Sequence, residues 1–325
     1  YFLHNKMLIS IPKNLRIIMS IFFTLLGKIL PLYLSIILGV ISTAFLNCNK
    51  DTIAKILLFI LGPLIVFNAT ISVKLEPSVL FLPIFFFLLS TIIAFSSLAY
   101  FKTIYSDNTA NLLAFSTATG NTGNIGIPLA ILFLDSYVVD VFIFTVLASL
   151  LYQNSVGYYI TAKGNFTAKE SFIKVLKLPV LHAFILGLIL NILGFKIPEM
   201  FMDYTNYLKG AYAILGMMLL GMGMEKIKSD NSFDTKFISY TLFIKFIIWP
   251  ALILLFIYID NTFIHFLNKD FYLLMFIFSI VPLAGNTVTV ATLLDVKPEK
   301  MSMAVFISTL VSLFYIPLMI YLYNL

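Results

Sequence analysis

Thr119-Gly120-Asn121-Thr122-Gly123-Asn124-Ile125-Gly126-Ile127-Pro128 interrupts an apolar stretch long enough to span a bilayer. A second such stretch, 165 residues on, reads Pro282-Leu283-Ala284-Gly285-Asn286-Thr287-Val288-Thr289 and carries the same Gly-Asn-Thr word. Gly, Pro and Asn are poor helix formers. In lipid, a backbone group freed by a broken helix must be satisfied by protein or by water in a cavity. Two breaks at matching places in two halves of a chain point to a transporter-type site at the membrane midplane. Two ordinary kinks are the plainer alternative, and the recurrence of the word argues against it.

The surrounding sequence is that of an integral membrane protein. It is 61% hydrophobic and 11% charged, where a soluble domain carries about 25% charge. The single cysteine, Cys48, excludes an intrachain disulfide and a cysteine-based zinc site. The net charge of +6 is spread over loops, so it bears on topology and not on nucleic acid.

Apolar runs of about 20 residues read as membrane spans. Ten are expected: Ile21–Leu46, Ile53–Val73, Val79–Phe101, Asn111–Leu134, Val138–Ala162, Val175–Leu193, Leu208–Met224, Phe237–Ile259, Phe271–Leu294 and Met301–Tyr323. Residues 1–20 form an N-terminal extension with no assigned function, in which Met7 and Met19 are candidate starts. Residues 163–174 form a polar linker that divides the chain into 21–162 and 175–325, five spans each.

The halves resemble each other. Pro31 matches Pro179 and Gly39 matches Gly187, both at an offset of 148. Leu61-Gly62 matches Leu215-Gly216 at 154, and the Gly-Asn-Thr words match at 165. An odd number of spans per half makes the two cross in opposite senses. The expected fold is therefore an all-α multi-pass protein of two inverted five-helix repeats, with broken spans four and nine crossing each other. Twelve lysines lie in loops after odd spans, against seven basic residues opposite, which puts the linker in the cytoplasm and both termini outside.

At each break the following half-helix exposes N–H groups and the positive end of its dipole. Two such ends together make an anion site. Gly120 and Gly285 allow close backbone approach, and Asn121, Asn124 and Asn286 can donate to a carboxylate. Thr122 and Thr287 offer hydroxyls, with a bond to their own helix as the alternative. Gly123, Gly126, Pro128 and Pro282 shape the crossing, the prolines by removing a helical hydrogen bond at each break. Lys245 lies at membrane depth. It could attract a substrate carboxylate, bind carbonyls of a broken helix, or snorkel to the cytoplasmic face. Asn68, Gln153 and Asn154 line a cavity or bond between helices. His182 is either a proton carrier or a structural hydrogen-bonding residue. No Asp or Glu is expected clearly inside a span, and no P-loop or hydrolase motif is present, so an enzyme or ATP-driven pump is not supported. No cofactor or metal is expected.

These residues resemble the auxin efflux carrier family, which includes plant PIN proteins and bacterial malate-permease-like carriers. The likeness rests on Gly-Asn-Thr-Gly-x-x-Gly-x-Pro at 120–128, on Lys245 and Pro250, on Leu208 to Met224, on Pro282 to Ala291, and on Ser308-Thr309-Leu310-Val311-Ser312 with Pro317. It implies the fold of bile-acid symporters and sodium–proton antiporters. Spans one, two, six and seven would form a scaffold that dimerises; spans three to five and eight to ten would form a moving transport domain. It further implies elevator-type transport of small organic acid anions, malate-like, across a bacterial inner (plasma) membrane, with lipid as the surrounding partner. A sodium-coupled bile-acid-type symporter and a non-transporting anion sensor are the alternatives. The short linker departs from the long hydrophilic loop of plant members and argues against auxin as substrate.

Overall fold

The computed structural model describes residues 13–162, 176–223 and 233–323, and its regular structure is helical throughout. The helices are α1 (Lys13–Ala44), α2 (Lys50–Ser72), α3 (Pro77–Phe101), α4 (Thr109–Thr117), α5 (Ile127–Phe133, entered through a wide turn at Thr122–Gly126) and α6 (Ser136–Thr161). They continue with α7 (Pro179–Ile192), α8 (Met202–Met222), α9 (Thr235–Ile264), α10 (Asp270–Ile280), α11 (Asn286–Leu293) and α12 (Pro298–Tyr323). Six of them are long and apolar enough to cross a membrane: α1, α2, α3, α6, α9 and α12. The 163–174 linker, most of the N-terminal extension and the last two residues lie outside the described residues.

The outer surface is apolar. On α1, Ile29, Tyr33 and Ile36 are buried while Leu30, Leu34, Ile37 and Leu38 are exposed. Both sides of the helix are hydrophobic, which is the pattern of a helix between a protein core and lipid. Of the long helices α6 is the most enclosed: 72% of its apolar window is buried, against 22–44% for the other five.

Two helix pairs are joined at backbone level. A Cβ added at Gly39 of α1 would overlap the carbonyl of Met218 on α8, and one at Gly221 of α8 would overlap the carbonyl of Ile36. Gly187 of α7 lies against the Phe67 carbonyl and Thr70 of α2. The Asn191 amide of α7 donates to the Thr70 and Val73 carbonyls at 2.8 and 2.7 Å, satisfying groups that the end of α2 leaves open.

Wide π turns recur before proline. Leu57–Leu61 precedes Gly62-Pro63, Thr122–Gly126 precedes Ile127-Pro128, and Ile244–Ile248 precedes Trp249-Pro250. A proline inside a helix lacks an N–H and collides with the carbonyl four residues back. Opening the preceding turn to a five-residue register relieves both.

Three expectations are corrected by this geometry. Pro128 does not break its span: the chain leaves helix at residues 118–121, and Pro128 sits in the first turn of α5, where no N–H is needed. Carboxylates do lie inside long helices. Asp140 is in the second turn of α6, and Asp260 lies within α9, which runs five residues past its expected end. Finally, α8 begins at Met202, six residues before the expected start, so Lys209 lies two turns into the helix and not at the edge of the span.

Candidate functional site

The two breaks meet. The backbone N–H of Asn121 donates to the carbonyl of Pro282 at 2.8 Å, joining the gap between α4 and α5 to the gap between α10 and α11. In the first gap, Asn121 is the cap of the next helical segment: its Oδ1 accepts the Asn124 N–H at 3.2 Å, and its own carbonyl accepts from Ile125 and Gly126. Thr119 turns its hydroxyl back to the Ser116 carbonyl. In the second gap, Val281 is extended, the Leu283 N–H donates to Ser308 Oγ of α12 at 3.3 Å, and the Thr287 hydroxyl donates to the Ala284 carbonyl.

Helix α9 closes over the first gap. Trp249 Nε1–H donates to the Thr117 carbonyl at 2.8 Å, satisfying an acceptor at the end of α4. Lys245, within the wide turn of α9, is 1% exposed. Its Nζ stands 4.6 Å from the Trp249 ring centroid, a cation–π contact, and 2.9 Å from where a Cβ on residue 120 would lie. Glycine at 120 leaves room for that approach, since a methyl there would press on the ammonium and on Val281. Lys245 forms no ion pair and no hydrogen bond with any described residue. The Asn121 amide is 4% exposed, and its Nδ2 has no acceptor.

The other face of the crossing is α8. Tyr212, Gly216 and Leu220 follow one another at helical spacing along one side of it. The Tyr212 hydroxyl lies 3.1 Å from the Cβ position of Gly123, Gly216 receives Asn124 Oδ1 at 3.0 Å from its own Cβ position, and Leu220 lies 3.5 Å from that of Gly285. Hydropathy marks Tyr212 and Gly216 only as part of a packing helix. Their role shows once α8 is laid against the breaks.

The structure gathers some of the expected residues and separates others. Gly120, Asn121, Thr122, Asn124, Gly123, Gly126, Gly285, Pro282 and Lys245 surround the crossing. Thr287 is buried but spends its hydroxyl on its own turn, and Asn286 is exposed. Asn154 donates to Leu150 of its own helix, whereas Gln153 is buried with Oε1 unpaired. Asn68 faces a separate cavity of about 360 Å³, lined by Leu64, Phe67, Leu190 and Tyr204. His182 is exposed in the first turn of α7, its ring nitrogen 3.0 Å from the Leu178 carbonyl.

Residues 165–320 match the family model described as Membrane transport protein, the auxin efflux carrier or PIN-like family. Over those residues the chain is similar to auxin efflux carriers. That family is one of membrane transporters. The matched segment contains Lys245, Pro282 and Ser308. The first gap lies before it and is tied to it by the Asn121–Pro282 bond. No curated protein matches the chain significantly.

Proposed function

We propose that this auxin efflux carrier relative is a secondary or facilitative carrier of small organic acid anions, malate-like carboxylates among them, that bind where the two gaps meet. One observation carries the proposal. A buried ammonium, Lys245, and a buried amide donor, Asn121 Nδ2, stand at the crossing, and among the described residues no carboxylate pairs with that ammonium. Burying a charge without a partner is costly, and a bound carboxylate removes the cost. Of the three roles open to Lys245, attraction of a carboxylate fits best. Among the described residues it has no hydrogen bond to a helix carbonyl, and the residue is buried.

The inverted repeat enters the same proposal. Gly39 and Gly187 are equivalent by sequence. Gly39 on α1 packs against α8, and Gly187 on α7 packs against α2. If α1 corresponds to α7 and α2 to α8, each glycine makes its partner's contact. In this reading α1, α2, α7 and α8 are the scaffold, also the dimerising face. The remaining helices carry the site across the membrane as an elevator.

Purified protein in liposomes tests the function. Loaded vesicles should exchange labelled organic acid in counterflow, without sodium. Sodium-dependent uptake would favour the symporter alternative, and binding without counterflow would make the protein a sensor. A potassium–valinomycin potential should change the initial rate for a monovalent anion. His182→Gln should leave that response intact, and a rate that follows only a pH gradient and dies with His182→Gln would overturn uncoupled transport.

A further inference from the structure

We infer that Asp140 and Lys209 form a latch between the two units that the proposed elevator moves past each other. The inference rests on that proposal for the division into units, and on the following geometry for the latch.

Three ion pairs occur among the described residues. Two of them bind elements of the same unit. Lys297 pairs with Asp107, and Lys300 pairs with Asp234 at 2.7 Å, tying the entry of α12 to the entries of α4 and α9. The third is different in both position and surroundings. Lys209 Nζ of α8 lies 2.7 Å from Asp140 Oδ1 of α6, and the side chains are 8% and 15% exposed. It joins a scaffold helix to the most buried of the moving unit's long helices. Asp140 Oδ1 has no well-aligned hydrogen-bond donor, so the pair is held by charge and proximity.

Its place along α8 gives it a purpose. Lys209, Tyr212, Gly216 and Leu220 lie on one side of that helix and meet Asp140, Gly123, Asn124 and Gly285, in that order. The far side of α8 is fixed to α1 through Gly221 and Met218. The side facing the breaks is therefore the track along which they shift. Tyr212, Gly216 and Leu220 present a hydroxyl, a bare backbone and a methyl, which can part without leaving a buried charge. Lys209 and Asp140 cannot: separating a buried pair leaves two uncompensated ions until each finds water. The pair thus favours this arrangement over any in which α6 has moved along α8. A unit free of such a pair would have no charge-based preference between the two.

The test reads accessibility and needs no substrate. In a Cys48→Ser protein reconstituted in liposomes, Asn286→Cys reports on the second gap through its rate of reaction with a membrane-impermeant maleimide. Asp140→Asn and Lys209→Gln should each change that rate several-fold and in the same direction. The exchange Asp140→Lys with Lys209→Asp should bring it back toward the starting value. Rates that ignore the pair overturn the latch. So does a change that the exchange fails to reverse, because it would mark general loosening of the fold. Where a single variant does not fold, as judged by size exclusion, the exchange is compared with the doubly neutral Asp140→Asn/Lys209→Gln. Organic acid counterflow is measured in the same liposomes. Labelling that responds to the pair in a protein that moves no anion breaks the transport proposal and leaves the latch standing.

Discussion

Gly120-Asn121-Thr122 and Gly285-Asn286-Thr287 are the same three residues folded in two registers. In the first, the chain is out of helix at Gly120, and Asn121 is the cap, buried, with its amide turned inward. In the second, Gly285 is the cap and Asn286 is already the first helical residue, exposed, with no cap bond from its side chain. A one-residue change of register rotates a helical side chain by about 100°. The shift therefore moves the amide from the interior to the surface. Repeat symmetry in the sequence does not carry over into symmetry of the site. Lys245 deepens the difference, because its Nζ closes on Gly120 of the first word.

The strongest way to break this comparison is to remove the cation. Lys245→Met should weaken organic acid binding by about 3–5 kcal/mol, the cost of leaving a buried charge unpaired, or roughly two to four orders of magnitude. Without ligand the same variant should melt no lower than the parent, since it loses an unpaired buried ammonium. Lower melting with unchanged affinity would make Lys245 a structural residue.

Asn121→Ala and Asn286→Ala sharpen it. Loss of a donor to a charged ligand costs about 1.5–3 kcal/mol, so Asn121→Ala should lower affinity about ten- to a hundredfold in isothermal titration. Loss of the cap should also cost it about 0.5–2 kcal/mol in stability. Asn286→Ala should change neither quantity by more than the error of the measurement. Equal losses at the two positions would restore a symmetric site.

Ser308→Ala probes the second gap alone. It strips the Leu283 N–H of its acceptor and should destabilise the protein by about 1–2 kcal/mol in denaturation, with little effect on affinity.

The smallest effect is expected far from both gaps. The hydrogen bond from Lys297, assisted by Thr109, holds the Asp107 carboxyl well below the usual carboxylate range. A depressed folded value stabilises the fold above the unfolded value of about 3.9 and loses that contribution as pH falls through the folded one. Melting temperatures of the parent and Asp107→Asn should therefore converge below about pH 4. The gap above that pH should be small, because the pair is half-exposed and screened by solvent.

Much of this was legible in the chain. Apolar run length located most of the helices. Glycine next to asparagine located both interruptions, because neither residue holds a helix and asparagine caps one. Three things were not legible. The register of the second Gly-Asn-Thr depends on Ser308 reaching Leu283 from another helix, which no local pattern encodes. Pro128 looked like the breaker because proline usually is, but the wide turn before it absorbs its defect. A run of X-Pro after such a turn at 63, 128 and 250 would have been the clue. Asp140 and Lys209 each look like an end-of-span residue in the sequence until α6 and α8 are set side by side.

The close contact of α1 with α8 has a consequence for anyone doing genetics on this protein. Gly39 and Gly221 each face a carbonyl oxygen of the opposite helix with no room for a methyl. A single-codon change to alanine at either position cannot be absorbed by a side-chain swing, because the obstacle is main chain. Neither close contact involves Lys245 or Asn121, so such alleles should fail through assembly while their ligand groups stay intact. Second-site suppressors would then map to the facing helix and not to the pocket. Growth at low temperature and failure at high temperature, with compensating changes near Ile36 or Met218, is the inheritance pattern that a backbone-to-backbone seam dictates.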